Sequence, residues 1–233
     1  MVRVGLVVGL QWLAASVLLM WVGSPASADG MSCTPVNSTP PTIVIVGDSL
    51  SAGYGIDLHE GWAAKLQERL TEKEYEYRVL NASISGDTTS GGAARLGPVL
   101  EKHSVALVII ELGGNDGLRG QPIRNMRKNL TAMIKASRAV GAEVALMGMR
   151  IPTNYGARYA ESFHRVYASL ADEFNTALTP FFLDGIALSP DLMQNDGIHP
   201  NAAAQMRLLD NAWPAIEQGL TDYCAREAGA VKR

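Results

Sequence analysis

The sequence contains no run of basic residues. Its 20 Lys and Arg are scattered among 23 Asp and Glu, for a net charge of −3, so a polyanion such as nucleic acid finds no patch to dock on. Charged residues make up only 18% of the chain and hydrophobic ones 47%, a balance that excludes both intrinsic disorder and a polytopic membrane protein. With only two cysteines, Cys33 and Cys224, and four histidines, neither a disulfide framework nor a Cys/His metal cluster can be assembled. Internal repeats and low-complexity tracts are also lacking. At 233 residues, what remains is enough for one domain with its own core.

The exception to this even composition is the start of the chain. Arg3 precedes an apolar run from Val4 to Val22, followed by Ser24-Pro25 and then Ala26-Ser27-Ala28. This is the layout of a secretory signal cleaved after Ala28, and it predicts a periplasmic or secreted protein. The run is also close to the length of a bilayer span, so an uncleaved anchor is the competing reading. Cys33 lies too far past the apolar core to be a lipoprotein cysteine. The expected organisation is a signal peptide over residues 1–28, a surface leader over 29–41, one folded domain over 42–220 and a tail over 221–233.

From Thr42 onward, short β-branched apolar runs alternate with helical stripes. Strands are predicted over Thr42–Val46, Tyr77–Leu80, Ala106–Leu112, Glu143–Met147 and Thr179–Leu183. Helices are predicted over Gly61–Leu70, Ser90–Leu100, Ile123–Val140, Arg158–Phe174 and Ala202–Ile216. Such alternation predicts an α/β fold: a flavodoxin-like, doubly wound parallel five-stranded sheet with helices on both faces. Right-handed crossovers then bring every strand's carboxyl end to one edge, where ligands bind in sheets of this kind.

Three polar clusters follow the first three strands: Gly47-Asp48-Ser49-Leu50-Ser51, Ser83-Ile84-Ser85-Gly86-Asp87 and Gly113-Gly114-Asn115-Asp116. A fourth, Asp196-Gly197-Ile198-His199-Pro200, precedes the last helix. A serine hydroxyl needs a base within hydrogen-bond reach and a third group to orient that base. Asp196 and His199, three apart, meet if the backbone between them is helix-like, and Pro200 suggests a helix start with His199 at its mouth. An acyl-transfer site also needs oxyanion donors, which the Ser49 and Gly86 N–H groups and the Asn115 amide could supply. Each cluster alone has a plainer reading. Ser49 could merely cap a helix, and Asp-x-x-His could be a structural pair or a pair of metal ligands. Asp48 and Asp116 could brace turns as readily as touch substrate.

In combination the blocks GDSLSAGYG, NASISGD, ELGGNDGLRG, RIPTNYG and DGIHPN resemble the SGNH/GDSL hydrolase family over about Ile43 to Ile216. The likeness is greatest to its bacterial branch of exported multifunctional acyl-CoA thioesterases, lysophospholipases and arylesterases. The resemblance implies that Ser49 is the nucleophile, His199 its base and Asp196 the third triad member. It places the oxyanion hole at the Ser49 N–H, the Gly86 N–H and the Asn115 amide. No cofactor or metal is implied. The implied substrates are small-molecule acyl esters and thioesters. No stable membrane insertion is expected once the signal is removed, and a monomer is expected although the residues leave the oligomeric state open.

The loop Arg150 to Gly156 is expected to border the acyl channel, with Ile151, Pro152 and Tyr155 as an apolar wall, and Thr88 to Ala93 to form a mobile flap. Medium to long acyl chains should then be preferred. Two other functions use the same scaffold: a carbohydrate acetylesterase with a polar, open site, and a non-catalytic binding protein. The cysteines lie outside the resemblance. Export permits a Cys33–Cys224 bridge, because the first strand should start, and the last helix end, at the edge opposite the active site.

Overall fold

A computed structural model describes residues 1–2 and 39–231. The expected signal peptide and Cys33 lie outside the described residues. Five strands, β1 (Thr42–Gly47), β2 (Arg78–Asn81), β3 (Val105–Glu111), β4 (Glu143–Met147) and β5 (Ala177–Thr179), form one sheet in the order β2-β1-β3-β4-β5. Every pairing is parallel. Residues of β1 and β3 are buried throughout, as central strands covered on both faces must be, whereas the edge strand β2 is partly exposed.

Seven α-helices connect and cover the strands among the described residues: α1 (Ser49–Ala52), α2 (Trp62–Glu72), α3 (Thr89–Lys102), α4 (Gly114–Leu118), α5 (Ile123–Ala139), α6 (Ala157–Phe174) and α7 (Gln205–Val231). Helices α2 and α7 pack together on one face of the sheet, and α3, α5 and α6 on the other. The core is continuous: Trp62, Leu66 and Ile216 are fully buried, as are Phe163, Leu130 and Ile134. One close approach depends on glycine. A Cβ at Gly92 of α3 would stand 2.2 Å from a Leu112 methyl, so any side chain there would lift the helix off the sheet.

After β1 the chain builds β2 on one side, then returns to place β3 on the other. That reversal opens a crevice at the carboxyl ends of β1 and β3, and it decides where a ligand can sit.

Four expectations require correction. The last strand lies earlier than Thr179–Leu183, because Pro180 has no N–H to extend the ladder; Phe182 and Leu183 are instead buried in a turn. The closing helix does not end at Ile216, because Leu220 and Tyr223 continue its buried stripe. Thr88 to Ala93 is no flap: from Thr89 onward it is the first turn of α3, and Asp116 accepts hydrogen bonds from the Thr89 N–H (2.9 Å) and hydroxyl (2.5 Å). Pro200 does not start a helix. It bridges to Met193, and a 3-10 turn over Ala202–Ala204 leads into α7.

Candidate active site

Ser49 opens α1 directly after β1, with Asp48 as its N-cap: an Asp48 carboxylate oxygen accepts from the Leu50 N–H at 3.1 Å. Gly53, at φ +74°, ends this single turn. The serine therefore stands at the carboxyl end of a central strand on a short, sharply bounded turn.

Asp196 and His199 come from a loop, not a helix-like turn. One Asp196 oxygen accepts from the N–H groups of Ile198 (2.9 Å) and His199 (3.0 Å), and Gly197 at φ +64° supplies the left-handed residue. This self-closing turn aims the other oxygen, Oδ2, at His199 Nδ1, 2.7 Å away. On the far side of the ring, Nε2 lies 2.9 Å from Ser49 Oγ. The hydrogen bonds from the His199 side chain and from the two N–H groups pull the Asp196 carboxyl down to about 2, so it is an acceptor at neutral pH. Nδ1 of the neutral ring must then carry the hydrogen, which leaves Nε2 free to accept the serine proton.

Gly86, at φ +76°, is the third residue of a turn in which the Asp87 N–H donates to the Ile84 carbonyl at 3.1 Å. The turn is tied to the nucleophile strand by the Ile84 N–H, which donates to the Gly47 carbonyl at 3.1 Å. Asn115 lies in α4 after β3, and its Nδ2 donates to Asp48 at 3.0 Å. A primary amide has two hydrogens, so one fixes the side chain while the second stays available to a ligand. Ser49, Gly86 and Asn115 thus follow three adjacent strands at one edge.

Beneath them lies a network that sequence reading did not find. Glu111, fully buried at the end of β3, accepts from the Ser51 hydroxyl at 2.7 Å and the Asp48 N–H at 3.3 Å, and the Trp62 indole donates to Ser51 at 3.2 Å. Burial pushes the Glu111 carboxyl well above its ordinary range, and the nearby Asp48 adds to this. Burial likewise raises Asp48 to about 6, against hydrogen bonds from Leu50 and Asn115 that lower it. Glu111 Oε1 has no hydrogen-bond partner, which suits a neutral acid better than a carboxylate. A Cβ at Gly47 would lie 2.8 Å from Glu111, so this glycine makes room for the acid. A lone Glu inside an apolar strand was the available signal.

Gln194 was also missed. Its Nε2 donates to the carbonyls of Tyr54 (2.8 Å) and Pro200 (3.0 Å), and its N–H to the His199 carbonyl at 2.7 Å. The Tyr54 ring rests on the His199 ring with centroids 4.5 Å apart. The loop carrying Asp196 and His199 is therefore latched to the segment that follows Ser49.

The remaining site expectations fare unevenly. Ile151, like Phe163, closes over Gly117 and is only 7% exposed, whereas Pro152 and Tyr155 face solvent. No cysteine among the described residues is free, but the partner proposed for Cys224 lies outside them. No three His, Cys, Asp or Glu among the described residues could hold a metal ion.

A parallel sheet of this order, carrying a Ser-His-Asp chain at its switch point, defines the class of α/β serine hydrolases. Residues 45–207 match the model of the GDSL-like lipase/acylhydrolase family, and the chain belongs to that family. It is 53% identical over 176 residues to the esterase TesA of Pseudomonas aeruginosa, covering 76% of this chain and 88% of that protein. It is 46% identical over 169 residues to thioesterase 1/protease 1/lysophospholipase L1 of Escherichia coli, covering 72% and 80% respectively. The crystal structure of the psychrotrophic esterase EstA from Pseudoalteromonas, inhibited by monoethylphosphonate, superposes with a TM-score of 0.74. That match has 44% identity and covers 78% of this chain and 99% of that one.

Proposed function

We propose that this hydrolase cleaves carboxylic esters and thioesters of medium to long acyl chains through an acyl-enzyme on Ser49. The observation that carries the reading is the unbroken chain from Ser49 Oγ through His199 to Asp196, with contacts of 2.9 and 2.7 Å, at the carboxyl edge of the sheet. Ser49 Oγ attacks the carbonyl carbon as its proton passes to His199 Nε2, and Asp196 stabilises the imidazolium. The oxyanion that forms is met by the Ser49 and Gly86 N–H groups and the Asn115 amide. His199 then gives the proton to the departing alcohol or thiol, and water repeats the sequence to free the acid. Because the hole grips the carbonyl oxygen and not the leaving group, oxygen esters and thioesters are both substrates, in keeping with the names of the relatives.

Pro152 and Tyr155 form the exposed wall of the acyl groove, with Ile151 as its packed support. Each buried methylene contributes up to about 0.8 kcal/mol, so kcat/KM should rise severalfold per two-carbon step until the groove is full. A panel of nitrophenyl esters and acyl thioesters of increasing chain length tests this. Acetyl esters as the best substrates would favour a carbohydrate acetylesterase, as would a chain-length profile that Tyr155→Ala leaves unchanged.

Export through a leader cleaved after Ala28 belongs to the same reading, and N-terminal sequencing of protein from a periplasmic extract checks it. Recovery of chains starting at Met1 in the membrane fraction would favour the anchor. In the exported enzyme Cys33 and Cys224 are joined, closing a long loop worth up to about 5 kcal/mol in the chain-entropy model. Alkylation of both thiols without reductant would disprove the bridge.

A further inference from the structure

We infer that Arg95 is the positioning residue of the oxyanion hole, its guanidinium fixing the Gly86 N–H relative to Ser49 by holding three separate segments at once. This rests on the oxyanion-hole reading given above. Arg95 lies on α3, outside the triad and its donors, with a side chain only 20% exposed. Its Nε donates to Asp87 Oδ2 at 2.8 Å, its Nη2 to the Gly47 carbonyl at 3.1 Å and its Nη1 to the Ala82 carbonyl. Gly47 is two residues before Ser49, Ala82 directly follows β2, and Asp87 directly follows Gly86. One planar fork thus spans the end of the nucleophile strand, the end of its neighbour and the turn that carries a donor.

The turn needs such a brace. Ile84, Ser85 and Gly86 are all exposed, so little packing holds the N–H of Gly86 in place. From outside, Arg119 donates to the Gly86 carbonyl at 2.9 Å, but that contact is exposed and weak in water. The Arg95–Asp87 pair is the sheltered one, with Asp87 13% exposed. Its seat is shaped for it: a Cβ at Gly91 would stand 1.9 Å from Asp87 Oδ1, and that same oxygen accepts from the Thr88 N–H at 2.8 Å. A donor serves an oxyanion only within about 2.7–3.1 Å of it, and a misplacement of about 1 Å can cost about 100-fold in rate. Lysine in place of Arg95 would keep the charge, but a point donor cannot reach three acceptors lying in a plane.

The test compares Arg95→Lys, Asp87→Asn and Asn115→Ala in the full chain, with thermal melts, kcat and KM on a nitrophenyl butyrate, and inhibition by an alkyl boronic acid that fills the hole as a tetrahedral adduct. Arg95→Lys should fold, lose about 10- to 100-fold in kcat with KM within about twofold, and bind the boronic acid more weakly by a similar factor. Asp87→Asn should show the same pattern, smaller, and carries the test should Arg95→Lys fail to fold. A purely structural ion pair would lower the melting temperature and leave both kcat and boronic acid binding unchanged, which would overturn the inference. So would a kcat loss without weaker inhibitor binding. Should Asn115→Ala retain full kcat, the hole itself is wrongly assigned; should only the Arg95 and Asp87 variants retain it, the brace alone is wrong.

Discussion

The two halves of the active site are held in different ways. The half proposed to meet the oxyanion grows from three sheet strands and rests on buried polar groups: Asp48 and Glu111, 2% and 0% exposed, and the Thr89–Asp116 clasp. The half that moves protons hangs on a surface loop between β5 and α7, where Asp196 is partly exposed and Gln194 is the latch. Charge developing on a carbonyl oxygen needs donors that do not reorganise. A base that takes and returns a proton needs only the right reach, which a turn closed on its own aspartate provides. Rigidity is concentrated on the side where electrostatic preorganisation repays it.

Loss of either half should be felt most at its reacting atoms. Ser49→Ala and His199→Ala should each lower kcat on the order of 10³-fold or more while melting as the parent does. Near-parental turnover in either folded variant would remove the triad assignment. Next comes the rigid half: Asn115→Ala should cost roughly 10²- to 10³-fold in kcat. An effect confined to KM would mean that the amide positions substrate only, and the contrast between the halves would lose its meaning.

The softer half should yield more gently. Gln194→Ala removes two side-chain hydrogen bonds from the base loop, and should speed amide hydrogen exchange over residues 194–200 and lower kcat by roughly 10-fold. Exchange rates that stay the same would show that the turn needs no latch.

The smallest effect concerns the buried acids. Asp48, raised to about 6, and Glu111, raised well above its ordinary range by burial, both keep their protons to a higher pH in the fold than when unfolded. Their contribution to stability is therefore fully present below about pH 4 and is lost as the pH climbs through the folded-state values. Glu111→Gln keeps the acceptor for Ser51 and removes that liability. Its melting temperature should fall less between pH 5 and 9 than the parent's, by a few degrees. Parallel declines in the two proteins would mean that Glu111 is not the group that titrates.

Much of this was legible because it rests on local pattern. The apolar runs at Thr42–Val46 and Ala106–Leu112 marked the central strands, and the polar clusters behind them fell on one edge by topology alone. What stayed hidden depends on tertiary proximity. Nothing near Arg95 in sequence announces that its fork meets Gly47, Ala82 and Asp87, and Gln194 looks like any loop residue until Tyr54 and Pro200 are folded against it. The Thr88–Ala93 segment misled because two adjacent glycines signal mobility, whereas here they give clearance, Gly91 for Asp87 and Gly92 for Leu112. Similarly, Ile151 carries an apolar side chain after β4 but buries it over Gly117.

Ser49 and His199 stand 150 residues apart in a chain made from its amino end. Ser49, Gly86, Asn115 and all five strands precede residue 180, and His199, the proposed base, follows them. A nascent chain thus exposes Ser49 well before the His199 loop, and α7, which follows that loop, is the element that closes one face of the sheet. A product truncated before His199 loses both the proposed base and α7, with Leu208, Leu209 and Ile216 of the core, so early termination removes the chemistry and one layer of the fold together.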